Sequence, residues 1–553
     1  MTARGWLVIL LLSLVLLLRP YIYKIHAMAQ SSRSSSLADA RKDTLLRWLM
    51  PSVADLIFIS LLATLLFTPL SVKLLGDAGT GWHIRTGQLI LMTRTIPRVD
   101  PFSTQIHKPW IAWEWLYDVM VGRLEASAGL NGVVWFTAAV IAAVFAFLFR
   151  LLMKRGTDLL VAIVLTLLAM ASSMIHFLAR PHVLSWLLAL LWFWILDSAE
   201  TAPPRSNRRL WLLPALMLIW VNVHGGFLLG LVLLAFFWAG SLWAWLHLKE
   251  SRIEEAFNKI RAGKRVRDLT LVGLASTAAT LLNPYGWRLH GHIYAYLTNR
   301  FFMDHIEEFQ SPNFHGLGQK CFLLLLVIAV AALTANRRKL PGSEILVVLF
   351  AVSAGLYSSR NIPVSSILLA ASIGPLIPPL SRKAFPLRMA AVDSTLRGHL
   401  WPILATMVTF VIVANGGRVG SSVVVDAHFD PQRMPSEAVN FLERAGVRAP
   451  LFSPDYWGGY ILYRLYPGNK VTIDDRHDFY GEPFLREYLR TMHVEPGWEN
   501  FLKGQSCLVL PRKAALTEVL DKTPEWKVVY SDDVATVFTP SRVPPDSVKV
   551  RGD

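Results

Sequence analysis

Before residue 416 the chain is dominated by apolar runs long enough to cross a bilayer, and these leave few folds open. A spanning helix needs about 20 mostly apolar residues, in a range of about 17–25. Only a helix or a closed barrel can satisfy its own backbone in hydrocarbon. Runs of helical length lie near residues 52–75, 128–149, 157–176, 181–197, 209–223, 226–247, 268–283, 321–335, 343–359, 362–380 and 399–415. The expectation is a polytopic α-helical membrane protein with about 11–12 transmembrane helices. The composition agrees: of 553 residues, 53% are hydrophobic and 17% charged, too apolar for one soluble domain.

Lysine and arginine set the direction of such a chain. One set of short connections is basic, with Arg150, Lys154 and Arg155, then Arg205, Arg208 and Arg209, a cluster from Lys249 to Arg267, Arg337 to Lys339, and Arg382 to Arg397. The alternate short connections hold little beyond Arg180 and Arg360. The basic set is expected in the cytoplasm, which puts the long first loop, 76–127, and everything after 416 outside. The net charge of +16 then reflects topology and contact with anionic membrane lipids, with no nucleic acid as partner. The first 50 residues hold the short run "LVILLLSLVLLL" and a basic linker. That run is read as an extra helix, or the protein starts at Met28; cleavage after "AMAQ" would invert every loop. Cys321 and Cys507 lie far apart, and neither a disulfide framework nor a cysteine metal site is expected.

Once sides are assigned, the polar motifs fall on one side. "GDAGTGWHIRTG" (76–87), "WIAWEWLYD" (110–118), "HFLARPH" (176–182), "VNVHGG" (221–226), "NPYGWRLHGH" (283–292), "DHIEEFQSPNFH" (304–315) and "SSRN" (358–361) all lie outside. Taken singly, each has a plainer reading: Asp77 as a helix cap, Trp82 as an interfacial anchor, Glu114 and Asp118 as a solvated helix face, "NPYG" as a helix stop. Those readings do not predict that all gather on one face. Polar groups at membrane depth are costly and line cavities, so one outward-facing polar cavity is expected. Two amphipathic helices in loop 76–127, lying on the leaflet, would form its rim.

Residues 416–553 contain no span and are expected to form a small α/β domain outside the membrane. "KVTID", "CLVLP", "WKVVY" and "VATVF" read as strands, and "PSEAVNFLERAG", "PFLREYLRTMH" and "ALTEVLDK" as helices. Its segment 453–483 sets Asp455, Asp474, Asp475, Asp478 and Glu482 among aromatics and glycines, a combination suited to sugar rings.

A first external loop opening on an acid and followed by a multi-helix bundle resembles the GT-C class of membrane glycosyltransferases. That class includes protein O-mannosyltransferases, lipid A aminoarabinose transferases and the oligosaccharyltransferase catalytic subunit. Asp77 stands where the first-loop catalytic acid would be. "HIEEFQ" is similar to a T-I-x-E motif, with Glu307 or Glu308 as its acid. "SPDYWGGYILYRL" is similar to W-W-D-Y-G-Y, which carries acceptor binding onto Asp455, Tyr456 and Gly458. The sequence departs from the class in having "DYWGGY", and "HFLARPH" where a second acidic motif would stand. It is also similar to a widespread group of bacterial membrane proteins with D-x(4)-W-H, E-W-L, R-P-H, N-x-H-G-G and N-P-Y-G signatures.

The resemblance implies transfer of a sugar or glycan from a polyprenyl-phosphate or polyprenyl-diphosphate donor to a protein, lipid or glycan acceptor. The setting it implies is the outer face of a bacterial inner membrane, with the C-terminal domain in the periplasm. Asp77 is then the expected base, with Glu114 as a second acid. Arg180, Arg288 and Arg360 are candidates for the donor phosphate, with His83, His182 and His224 as further donors. The histidines with an acid would also suit zinc or manganese, and a divalent metal, magnesium included, is the candidate cofactor, although no local spacing prescribes a metal. The competing class is a flippase, transporter or non-catalytic assembly subunit for the same lipid-linked glycans. A transporter would carry mid-span polar residues and an inverted repeat, and neither stands out in the sequence.

Overall fold

The computed structural model describes residues 47–105, 107–201, 204–248, 253–335, 340–380, 384–393, 395–396 and 399–541. The N-terminal apolar run and the basic residues at 249, 252, 337–339, 382–383 and 397 lie outside the described residues.

A helix occupies each of the eleven apolar stretches: α1 (Val53–Leu66), α3 (Trp115–Lys154), α4 (Leu159–Ser173), α5 (His182–Thr201), α6 (Leu212–Val223), α7 (Leu228–His247), α8 (Ile253–Ala279), α10 (Leu317–Ala335), α11 (Gly342–Tyr357), α12 (Ile362–Ile373) and α13 (Leu400–Ala414). Between them lie α2 (Gly79–Thr93) and α9 (Trp287–Thr298). Among the described residues, six helices are long and apolar enough to cross a membrane, and two further apolar helices are shorter. Local signals set the ends. Ser52 and Asp55 form a capping box at the start of α1, satisfying orphan N–H groups. Asp158 caps α4. The run expected over 362–380 stops at Ile373, and the chain leaves through Pro375, Pro378 and Pro379, which cannot continue a helix.

The long first loop differs from the expected leaflet-bound rim. Its second helix is the opening of α3 and runs into a span across a kink at Ala128 and Gly129, where Gly129 has φ +60° and ψ −160°, a backbone open in practice only to glycine. Helix α2 is buried between the start of α3 and the C-terminal region. Two glycines make this possible. A Cβ on Gly87 would stand 1.8 Å from the Asp118 carbonyl oxygen, and one on Gly81 would stand 2.2 Å from that of Gly459. The helices touch backbone to backbone.

The C-terminal region carries α14 (Ser436–Arg444), α15 (Asp455–Leu465) and α16 (Glu482–Met492) around a four-stranded sheet. Its strands are β1 (Leu451–Phe452), β2 (Cys507–Pro511), β3 (Trp526–Ser531) and β4 (Ala535–Pro540), in the order β1-β2-β4-β3. β1 and β2 are parallel, and the other pairs antiparallel. "KVTID", expected as a strand, is instead a stitch. Val471 donates to Phe102 O at 3.1 Å and its own carbonyl accepts from Thr104 at 3.0 Å, while Leu451 and Thr472 bond across its other edge. Its hydrogen-bonding capacity is thus divided between the first loop and β1. The acidic turn that follows is thereby fixed over the helix ends.

Candidate active site

The polar motifs converge where the helix ends meet the C-terminal region, around a cavity of about 760 Å³. Each motif holds the frame as well as the wall. Asn283 in "NPYG" accepts from Tyr285 N–H at 2.8 Å, and the Tyr285 hydroxyl accepts from Ala112 N–H at 2.9 Å. Asn222 in "VNVHGG" accepts from Trp115 Nε1 at 2.8 Å and donates to Leu218 O and Leu282 O. These bonds pin the first loop over α6 and α9.

On one wall, the Arg180 Nη1 donates to Asp77 Oδ1 at 3.2 Å and to Asp475 Oδ2 at 2.6 Å. Asp77 Oδ1 also accepts from Gly79 N–H at 2.8 Å, and Asp475 Oδ1 accepts from Trp82 Nε1 at 2.8 Å. Burial works against the Arg180 charge, but Asp77 and Asp475 outweigh it and raise its pKa well above the ordinary value. Behind this wall Arg476, 2% exposed, grips Asp474 through Nε and Nη2 (2.8 and 2.6 Å) and Asp100 through Nη1 (2.7 Å). The bidentate fork fastens the acidic turn to the first loop.

The opposite wall is built from imidazoles and carboxylates. Glu114 faces the cavity with Oε2 3.8 Å from His83 Nε2 and Oε1 3.7 Å from His224 Nε2. Burial pushes its carboxyl up to about 7, against the pull of Arg180 and Arg360. His83 is fully buried, with Nδ1 2.5 Å from Asp118 Oδ1; burial and then Arg180 hold it well below the usual histidine range. At the mouth, His477 bonds Asp455 at 2.7 Å and His292 bonds Asp478 at 2.8 Å. Burial opposes both imidazolium forms, but the carboxylates prevail and raise both histidines.

With this geometry in view, comparison with solved structures separates what is general from what is particular. The archaeal oligosaccharyltransferase AglB of Archaeoglobus fulgidus, solved with an inhibitory peptide and a dolichol-phosphate, superposes with TM-score 0.52 at 10% identity, covering 89% of this chain and 74% of that one. The chain has the GT-C fold. Two further structures are more distant in shape. ArnT of Cupriavidus metallidurans bound to undecaprenyl phosphate gives 0.45 at 12% identity, covering 87% of this chain and 97% of that one. The Archaeoglobus fulgidus oligosaccharyltransferase with zinc and sulfate gives 0.41 at 12% identity, covering 88% and 73%. No protein-family model matches the sequence, and no curated protein matches it.

Ten of the candidate site residues, and with them Asp475 and Asp478 of the acidic turn, line this cavity. Asp77, Glu114, Arg180, His182 and His224 come from the first loop and the ends of α4 to α7; Glu307, Glu308, Arg360, Asp455 and Tyr456 close the other side. Arg360 is 3.8 Å from Glu308, too long for a hydrogen bond, and its guanidinium lies over Phe309. His83 stands behind the wall rather than in it. Arg288, expected at the phosphate, is exposed on α9 and does not line the cavity; Leu289 and Ile293 turn that helix inward, and His292 is the residue that reaches the acidic turn. Gly458, expected to contact the acceptor, is buried against the backbone of Ile473, where a Cβ would meet the carbonyl oxygen at 2.3 Å. It permits close packing and presents nothing to a ligand. Asp474 serves Arg476, and Glu482 bonds Asn299 and Arg486 away from the cavity.

Arg433, Arg476 and His477 also line the cavity without having been singled out. "DDRHD" displays its acids plainly, but the partners of Asp475 and Asp478 lie between 186 and 393 positions away. Arg433 sits in a loop with no local pattern, and among the described residues its guanidinium makes no ion pair.

A divalent metal does not fit these residues. The space between Asp77 and Asp475 that a dication would occupy is filled by the Arg180 guanidinium. Among the described residues no group of three or more histidine, cysteine, aspartate or glutamate side chains is arranged to hold a metal.

Proposed function

We propose that this protein is a membrane glycosyltransferase that moves a sugar or glycan from a polyprenyl-phosphate or polyprenyl-diphosphate donor to an acceptor. On this reading the cavity faces the periplasm of a bacterial inner membrane and opens to the lipid. The observation that carries it is the division of labour among the arginines. Arg180 and Arg476 are consumed by hydrogen-bonded carboxylates, whereas in the same cavity Arg360 has only the looser ion pair with Glu308 at 3.8 Å, and Arg433 makes no ion pair among the described residues. A guanidinium matches phosphate oxygens bidentately. The dolichol-phosphate bound by AglB, which shares the fold, supports a lipid phosphate as the ligand. On this reading Asp455 and Tyr456, which line the cavity, meet the acceptor.

The test uses purified full-length protein in nanodiscs with a panel of undecaprenyl-phosphate and undecaprenyl-diphosphate sugars. Release of the free lipid phosphate supports the transferase. In Arg360→Gln the donor KM should rise about tenfold or more, the loss of one charged hydrogen bond of about 1.5–3 kcal/mol. Movement of intact donor between leaflets of proteoliposomes without cleavage would replace the transferase with a transporter.

A further inference from the structure

The wall of imidazoles and carboxylates is more elaborate than phosphate binding requires. Glu114 makes no hydrogen bond through its side chain, yet each of its oxygens faces an imidazole Nε2. The two imidazoles are prepared differently.

His224 has a fixed proton. Its Nδ1 accepts from Gly226 N–H at 3.1 Å. Trp220 Nε1 donates to Ser185 Oγ at 2.7 Å, which leaves the serine hydroxyl proton for His224 Nδ1 at 2.8 Å. With Nδ1 accepting twice, the ring proton of the neutral imidazole sits on Nε2, facing Glu114 Oε1. Burial, then Arg360, lowers the pKa of that ring well below the usual histidine range.

His83 is variable. Its Nδ1 lies 2.5 Å from Asp118 Oδ1, and either atom can carry the proton of that hydrogen bond. Its Nε2 and the second Asp118 oxygen are buried without a hydrogen-bond partner, a costly state in a fold. The Nε2 is aimed at Glu114 Oε2. The pair can hold one proton or two. A second proton entering at Nε2 lets the Nδ1 proton pass to Asp118, so His83 stays neutral and no cation is created in the interior.

We infer that Glu114 is the catalytic base of the site and that His83 and Asp118 form a proton relay behind it, serving an acceptor that attacks through a hydroxyl. This rests on the transferase reading. The hydroxyl oxygen forms a bond to the sugar anomeric carbon. The bond from that carbon to the phosphate oxygen breaks, and its electron pair leaves with the lipid phosphate. The hydroxyl proton goes to Glu114; when the 3.8 Å gap to His83 Nε2 tightens to hydrogen-bond distance in the substrate complex, it passes to that nitrogen, while the Nδ1 proton moves to Asp118 Oδ1. Asp77, whose Oδ1 is engaged by Arg180 and Gly79 N–H, holds Arg180 in place. A carboxyl near 7 suits a base at neutral pH. The charged and titratable groups around Glu114 are Arg180, Arg360, Asp475, Asp478, His83, His224, Asp118 and Tyr117.

The experiment is a pH–rate profile of the full-length protein in nanodiscs, reading undecaprenyl phosphate released from its sugar conjugates with glycerol as acceptor. The wild type should show kcat rising with pH through a limb near the Glu114 value of about 7. In Glu114→Gln kcat should fall about 10²–10⁴-fold, the limb should vanish, and donor KM should stay within threefold. In Asp118→Asn the limb should move while donor KM again holds, a pattern that a packing defect does not produce. A flat wild-type profile from pH 5 to 9, or a Glu114→Gln kcat within threefold of wild type, overturns the relay and leaves the transferase standing. Should Glu114→Gln fail to fold, the wild-type profile and Asp118→Asn still decide. No release from any donor overturns both readings.

Discussion

Gly87→Ala should unseat the first-loop helix and abolish activity together with it. A methyl at Gly87 would stand 1.8 Å from the Asp118 carbonyl oxygen and 3.1 Å from Gly122 Cα. Both obstacles are backbone, so no rotamer change relieves them. Overpacking of this kind costs about 1–3 kcal/mol, at times more. Separation of α2 from α3 also breaks the contact between His83 and Asp118, which bridges the same two helices. The expected result is a marked fall in thermal stability of the detergent-solubilised protein with loss of donor turnover. Gly291→Ala is the control. It lies on α9 with nothing within 4 Å of its Cβ position, and alanine there should be neutral or stabilising by about 0.5–1 kcal/mol.

Arg180→Gln should be as damaging for an electrostatic reason. It leaves Asp77 and Asp475 facing one another, largely buried at 26% and 18% side-chain exposure, with the cation between them gone. Removing one member of a buried ion pair costs about 3–5 kcal/mol. The sign with pH follows. Burial already raises the Asp475 carboxyl against the pull of Arg180; without the guanidinium it stands further above its unfolded value, so the variant is least impaired at low pH, where Asp475 is protonated in both states, and loses stability as pH rises through the raised value. Denaturation midpoints at pH 5 and pH 8 should separate more in Arg180→Gln than in wild type. Adding Asp475→Asn should recover part of the loss, because the neutral amide has no charge to strand. Equal penalties at both pH values, with no recovery, would mean that Arg180 contributes packing alone.

These two sites also show how far the sequence is legible. The spans could be read because hydrocarbon imposes a length, and Leu, Val, Ala and Phe meet it in uninterrupted runs. The cavity could be read because Asp77, Glu114, Arg180, His182, His224 and Arg360 all stand at helix ends on one side, where only a shared polar space accommodates them. The contacts inside that space could not. Arg180 meets Asp475 across 295 positions, and Arg476 meets Asp100 across 376; no periodicity or spacing records such pairs. Arg288 and His292 are equally polar and equally placed in "NPYGWRLHGH", and the rotation of α9 about Leu289 and Ile293 selects the histidine. "KVTID" has the composition of a strand, and the demand of Phe102 and Thr104 for backbone partners made it a stitch instead. Gly458 looked like part of a ligand motif because its neighbours Asp455 and Tyr456 do line the cavity; its own role is the absence of a side chain.

The most direct test of the account is whether the cavity binds an isoprenoid phosphate. Full-length protein in nanodiscs would be titrated with photo-crosslinkable undecaprenyl phosphate, alongside the Arg360→Gln/Arg433→Gln double variant. Saturable labelling that maps to the first loop or the 433–478 segment, and that weakens at least tenfold in the double variant, is the predicted result. Labelling that does not saturate, or that is unchanged when both guanidinium groups are removed, would contradict it.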